Sequence, residues 1–134
     1  MSQRSRDERA MRNGPLVLAA SASRYEICSL ERTLGLAGFA VRAVACANDA
    51  GDALSQCRGH CVLVIDSGLL EMDFDTQWQV LRACNPELGT VIRCWIERDP
   101  GIRQIQPRTF VVHPDHRDGL LDAVRKLGAI PVDA

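Results

Sequence analysis

Five short apolar runs constrain this chain more than any other feature: LVLAA at 16–20, FAVRAV at 39–44, CVLVI at 61–65, TVIRCWI at 90–96 and TFVV at 109–112. Each is of strand length, rich in β-branched residues and nearly free of polar side chains. A half-exposed strand alternates apolar and polar residues. An unbroken apolar run fits a strand covered on both faces, as in a parallel sheet. Arg42 and Arg93 interrupt two of the runs, which places those strands near a sheet edge or a strand end.

Most of the runs are separated by segments with helical spacing. Ile27, Leu30, Leu34 and Ala37 recur on one face, and Gly38 closes that helix. Asn48 or Asp49 is placed to cap a second helix through Ala53, Leu54 and Cys57. Asp73 or Asp75 opens a third with Trp78, Leu81 and Cys84, ending near Asn85-Pro86. Asp115 begins the last, with Leu120, Leu121, Val124 and Leu127 on one face and Gly128 after it. The stretch ERDPGIRQIQPR, residues 97–108, leaves room for one or two helical turns only, because Pro100, Gly101 and Pro107 interrupt it. Strand–helix alternation of this kind predicts right-handed crossovers and an α/β doubly wound, flavodoxin-like sheet. Five parallel strands in the order 2-1-3-4-5 are expected, with about five helices, the fourth short or irregular. Any ligand belongs at the carboxyl ends of the first and third strands, beside the switch point.

The chain has 134 residues, one domain's worth, and its core must be aliphatic because aromatics make up only 4%. Residues 1–14 are polar, with Arg4, Arg6, Arg9 and Arg12 set against Asp7 and Glu8, and read as a flexible basic arm. The folded domain is expected over 15–130, with a tail at 131–134. A net charge of −1 gives no electrostatic reason to expect direct nucleic-acid binding. No apolar stretch is long enough for a membrane span, and no signal core opens the chain, so a cytoplasmic protein is expected. Six cysteines are present, none in a C-x-x-C arrangement. Cys57, His60 and Cys61, with His113 and His116, form the nearest approach to a zinc or redox cluster. The simpler expectation is that Cys28, Cys46, Cys57, Cys61, Cys84 and Cys94 act mostly as small buried hydrophobes.

The third run leads directly into an aspartate, as CVLVIDSGLLEMD. A carboxylate at the tip of a buried strand is costly unless something charges, coordinates or neutralises it. Asp66 therefore has three readings: a phosphoacceptor, an anion held by His113 or by Ser21 and backbone N–H groups, or a relic facing solvent. Glu71, Asp73 and Asp75 follow closely enough to contribute to a cation site, or to be ordinary loop and cap residues.

From Leu16 to about Leu127 this pattern resembles a bacterial response-regulator receiver (CheY-like) domain. The resemblance places Asp66 at the phosphoacceptor position. It also implies an acid pair after the first strand, which falls at Ala20 and Ser21 in LVLAASAS. A Thr or Ser ending the fourth strand falls at Trp95 in VIRCW, and a Lys before Pro falls at His113 in VVHP, with Pro114 a cis-bond candidate. Of these groups only Asp66 keeps the family's residue. Phosphoryl transfer to a carboxylate needs a divalent cation, and Mg²⁺ needs hard oxygen ligands that alanine lacks. No cofactor is expected, and Mg²⁺ binding is expected to be weak or lost. Trp95 is expected either to fill the vacated pocket or to pack as core against the fourth or fifth helix.

The resemblance thus implies a degenerate pseudo-receiver in bacterial signal transduction or transcriptional regulation. It would not be an enzyme, and it would act by phosphorylation-independent contact with a protein partner or with itself as a homodimer. Its faces for that contact are the fourth helix, fifth strand and fifth helix, or the first helix. It is either a stand-alone adaptor or one piece of a longer regulator with a DNA-binding or other output domain outside this chain. Two alternatives stand beside it: a genuine phosphoacceptor modified on Asp66 by a histidine kinase, and a small-molecule or nucleotide sensor using the vacated pocket.

Overall fold

Each of the five apolar runs is a strand in the computed structural model, which describes residues 16–56, 61–70, 75–85, 87–95, 103–106 and 108–128. They are β1 (Leu16–Ala20), β2 (Val41–Val44), β3 (Cys61–Asp66), β4 (Gly89–Arg93) and β6 (Thr109–Val112), joined by an additional β5 (Arg103–Gln106). Helices α1 (Arg24–Leu36), α2 (Ala47–Gln56), the single turn α3 (Ser67–Leu69), α4 (Asp75–Cys84) and α5 (Arg117–Lys126) alternate with them. The sheet order is β2-β1-β3-β4-β6-β5. The five expected strands stand in the expected order and are all parallel.

Alternate residues of the same strands supply two separate cores. On one side Leu18, Leu63, Ile65 and Ile92 pack with Ala50, Ala53 and Leu54 of α2 and Trp78 of α4. On the other, Val17, Val62, Val64 and Val91 pack with Leu30 and Leu34 of α1 and Leu120, Val124 and Leu127 of α5. Burial on both faces is why the runs show no polar alternation. Each fully buried Val, Leu or Ile contributes about 1.5–3 kcal/mol relative to exposure. Arg42 is exposed on the edge strand β2, as expected of an interrupted run.

Both ends of α1 follow the sequence signals. Ser23 caps α1 by accepting the Glu26 N–H. At the other end the Gly38 N–H reaches Gly35 O and the Phe39 N–H reaches Leu34 O, with Gly38 at φ 92. That is a Schellman closure, and it needs a left-handed residue at Gly38. α2 starts at Ala47, ahead of the expected caps, and α5 starts at Arg117, two residues after Asp115.

The connection between β4 and β6 departs from expectation. Its described residues, 103–106, form no short fourth helix but an edge strand antiparallel to β6. Gln106 pairs with Thr109, and Arg108, immediately before β6, takes the left-handed conformation at φ 58. The Arg108 side chain then clamps the base of the sheet. Its guanidinium donates to Glu87 O (3.1 and 2.8 Å) and to Leu127 O at the end of α5 (2.9 Å). Arg108→Ala is expected to lower the unfolding free energy by about 1–2 kcal/mol in chemical denaturation. Arg108→Gly loses the same bonds but sheds left-handed strain of about 1 kcal/mol, so it should be the more stable of the two.

The arm at 1–14 and the tail at 131–134 lie outside the described residues, as do Cys57 and His60. Cys61 is buried, as expected of a small hydrophobe, and Cys94 is half-buried. Cys28 and Cys46 are exposed, contrary to that expectation, because each lies off the core-facing side of its segment. Among the described residues no helix is long and apolar enough to cross a membrane.

Candidate functional site

The carboxyl ends of β1, β3 and β4 converge with the first turn of α1, and four side chains meet there. Asp66 is the last residue of β3, and Ser21 follows β1 directly. Arg93 ends β4 and stands in register beside Asp66. Glu26 lies in the first turn of α1.

Both oxygens of Asp66 are engaged. The Ser21 hydroxyl donates to Oδ2 at 2.5 Å, and Arg93 Nη1 donates to Oδ1 at 2.9 Å. Arg93 Nη2 reaches across to Glu26 Oε2 at 2.6 Å. Ser21 Oγ also accepts the Ser23 N–H at 3.1 Å, which ties the β1–α1 loop to the same group. The Arg93 side chain is 4% exposed, against 15% for Asp66 and 16% for Glu26. One guanidinium thus serves two carboxylates and leaves a single net negative charge. A planar fork with a fixed charge suits this double role, since each arm presents its own N–H.

Asp66 accepts a hydrogen bond from Ser21, one of the partners considered for it in the sequence. Its second partner is Arg93 and not His113. His113 is engaged elsewhere: its Nδ1 accepts the Asp115 N–H at 3.1 Å, and its ring meets Trp95 edge-on at 5.8 Å. Ala20 is buried at the end of β1, where it carries no donor.

The residue ending the fourth strand is Arg93, and Trp95 lies two positions beyond it. Pairing of β4 to β3 and to β6 stops at Arg93. Trp95 therefore neither fills a pocket nor packs as core. Its indole is 53% exposed and forms the lip of a hollow of about 460 Å³ whose floor includes Ser21, Glu26, Asp66 and Leu69. The His113–Pro114 bond is trans, since the described residues contain no cis peptide. The His116 N–H closes a turn onto His113 O at 2.9 Å, and Pro114 takes the second position of that turn, where a trans proline fits.

Arg93 and Glu26 were not foreseen as site residues. The Ser23-x-x-Glu26 spacing is that of a capping box, which would turn the glutamate back onto the helix start. Here Ser23 caps, and Glu26 is diverted to Arg93.

This donor set does not suit Mg²⁺. The ion needs several hard oxygens with open lone pairs in octahedral array. Each Asp66 oxygen already accepts a hydrogen bond, and a guanidinium holds the positive charge between the carboxylates. Among the described residues no three His, Cys, Asp or Glu side chains converge as a metal cluster. Glu71 and Asp73, weighed as further ligands, lie outside the described residues.

No protein-family model and no curated protein matches the sequence. Solved structures do match in shape. A response regulator receiver protein from Sinorhizobium medicae superposes with a TM-score of 0.68 at 21% identity, over 92% of this chain and 98% of that one. A receiver domain protein from Clostridium thermocellum gives 0.67 at 11% identity, over 84% and 93%. A CheY-like receiver domain from Methylobacillus flagellatus gives 0.64 at 17%, over 84% and 98%. The chain has the receiver fold.

Proposed function

We propose, from this receiver fold and the state of its aspartate, that the protein is a signal-transduction module working by protein–protein contact without phosphorylation. The observation that carries the reading is the occupancy of Asp66. A phosphoacceptor must offer one free carboxylate oxygen to an incoming anion, beside a cation that stabilises the charge developing on it. In this chain Ser21 holds one oxygen and Arg93 the other. The guanidinium is a permanent positive charge whose Nη1 and Nη2 already donate to Asp66 and Glu26, and unlike a metal ion it has no coordination position through which to hold Asp66 and an incoming phosphate together. In effect the switch has been replaced by a fixed ion network.

The reading is non-catalytic and needs no cofactor. Incubating the protein with Mg²⁺ and acetyl phosphate, then weighing it intact, is expected to return the unmodified mass. A stoichiometric phosphate adduct that disappears in Asp66→Ala would mean a working phosphoacceptor and would overturn the proposal.

A further inference from the structure

The hollow beneath Trp95 combines a charge, an acceptor and an aromatic wall that the ion network leaves unused. At about 460 Å³ it falls within the size range of small-molecule sites. Asp66 and Glu26 line it, whereas Arg93 does not. The guanidinium is the buried member of the network and has committed Nη1 and Nη2, so the two carboxylates meet the opening with one negative charge left over. Glu26 receives Arg93 on Oε2, and its Oε1 takes no hydrogen bond from any described residue. Above them stands the half-exposed indole of Trp95, braced edge-to-face by the His113 ring. Indole is the best side-chain π surface for a cation.

We propose that this hollow binds a small organic cation, a primary ammonium on a short apolar chain, between the Glu26 and Asp66 carboxylates and the indole of Trp95. An ammonium group has three N–H donors and accepts none, so it matches a site that offers acceptors only. Glu26 Oε1 supplies one of them. Each Asp66 oxygen has accepted one hydrogen bond and keeps a second lone pair. Leu69, buried in the floor, gives the chain an apolar surface.

The same donor set that suits Mg²⁺ poorly suffices for an ammonium. The metal demands near-octahedral oxygens and gives up its water reluctantly. An ammonium needs two or three acceptors in looser array, and the π surface adds attraction without directional bonds. An anion of equal size meets the carboxylates first and is repelled. The inference deepens the phosphate-free reading above by naming what the same site takes in place of phosphate, and the two fail separately. Intact mass after acetyl phosphate decides whether Asp66 is modified, whereas amine titration decides whether the hollow holds a cation.

Titrating the full chain with n-pentylammonium chloride at constant ionic strength, followed by calorimetry, is expected to give one site with a Kd of about 1 mM, in keeping with so small a ligand. n-Pentanol and n-pentanoate have the same chain without the positive charge and should bind about tenfold more weakly or worse. In Trp78→Phe, whose only indole is Trp95, the fluorescence should change with the same midpoint. Trp95→Leu keeps an apolar lip without the π surface and should weaken binding about fivefold. Glu26→Gln keeps the side chain's shape without its charge and should weaken it about tenfold. Trp95→Leu should melt as the parent does, because the side chain is half-exposed, so it reports on the site even where Glu26→Gln loosens the fold. The proposal is overturned if neither heat nor fluorescence responds to the amine up to about 50 mM. It is equally overturned if n-pentanol binds as tightly as the amine, or if either substitution, in a folded chain, leaves the affinity unchanged.

Discussion

Arg93→Met should lower the free energy of unfolding by about 3 kcal/mol at neutral pH, a loss read directly from urea titration. Breaking a buried pair by removing one partner typically costs about 3–5 kcal/mol, because the other charge stays buried without compensation. Here two carboxylates, Asp66 and Glu26, lose the one cation between them. Both retain some contact with water, which puts the value at the low end of that range. Arg93→Lys should recover only part of the loss, since a point charge on a flexible stem cannot serve both carboxylates with separate N–H groups. Asp66→Asn keeps a polar contact for Ser21 but weakens the hold on Arg93. Combined with Arg93→Met it should cost less than the sum of the single changes, with a coupling of about 1–3 kcal/mol. A loss under about 0.5 kcal/mol for Arg93→Met, the range of ordinary surface substitutions, would show that the network does not hold this end of the sheet.

The contrast between what the sequence made legible and what it concealed follows from contact range. Strands β1, β3 and β6 could be bounded almost to the residue, because burial on both faces leaves a local mark: unbroken apolar runs such as LVLAA and TFVV. The closures of α1 and α5 were legible for a similar reason, as Gly38 and Gly128 adopt the left-handed conformation that the last turn requires. Asp66 stood out as a polar residue at the end of such a run, and Ser21 was within the segment weighed as its neighbour.

Arg93 left no such mark. Its partners lie 27 and 67 residues away in sequence, so nothing local distinguishes a buried, doubly paired arginine at a strand end from a solvated one there. The run TVIRCWI also continues past the true end of β4. That overshoot moved the strand-end position from Arg93 to Trp95 and changed the chemistry assigned there. The segment 97–108 misled in the opposite way. Its prolines and glycine limit a helix, while RQIQ holds a single apolar residue, Ile105, too little to mark a strand.

The second large effect belongs to the opposite face of the sheet. Trp78→Ala should cost about 3–5 kcal/mol, the usual penalty for emptying a buried aromatic site. Trp78 is 3% exposed and carries α4 onto the core formed by Leu63, Ile65 and Ile92. Its Nε1–H donates to Thr90 Oγ1 at 3.0 Å, wholly inside the protein, and the Arg82 guanidinium lies 4.8 Å from the ring centroid one turn along the helix. Trp78→Phe keeps most of the volume but removes the N–H and its bond to Thr90, so about 1–2 kcal/mol should be lost. Trp95 provides the internal control. It is half-exposed, and Trp95→Phe should change stability by less than about 0.5 kcal/mol. The chain has only these two tryptophans, so fluorescence separates them. Trp78→Phe leaves an emission shifted to the red, from the exposed indole alone, whereas Trp95→Phe leaves the blue-shifted emission of the buried one. Equal stability losses at the two positions would mean that α4 is not held to the sheet through its indole.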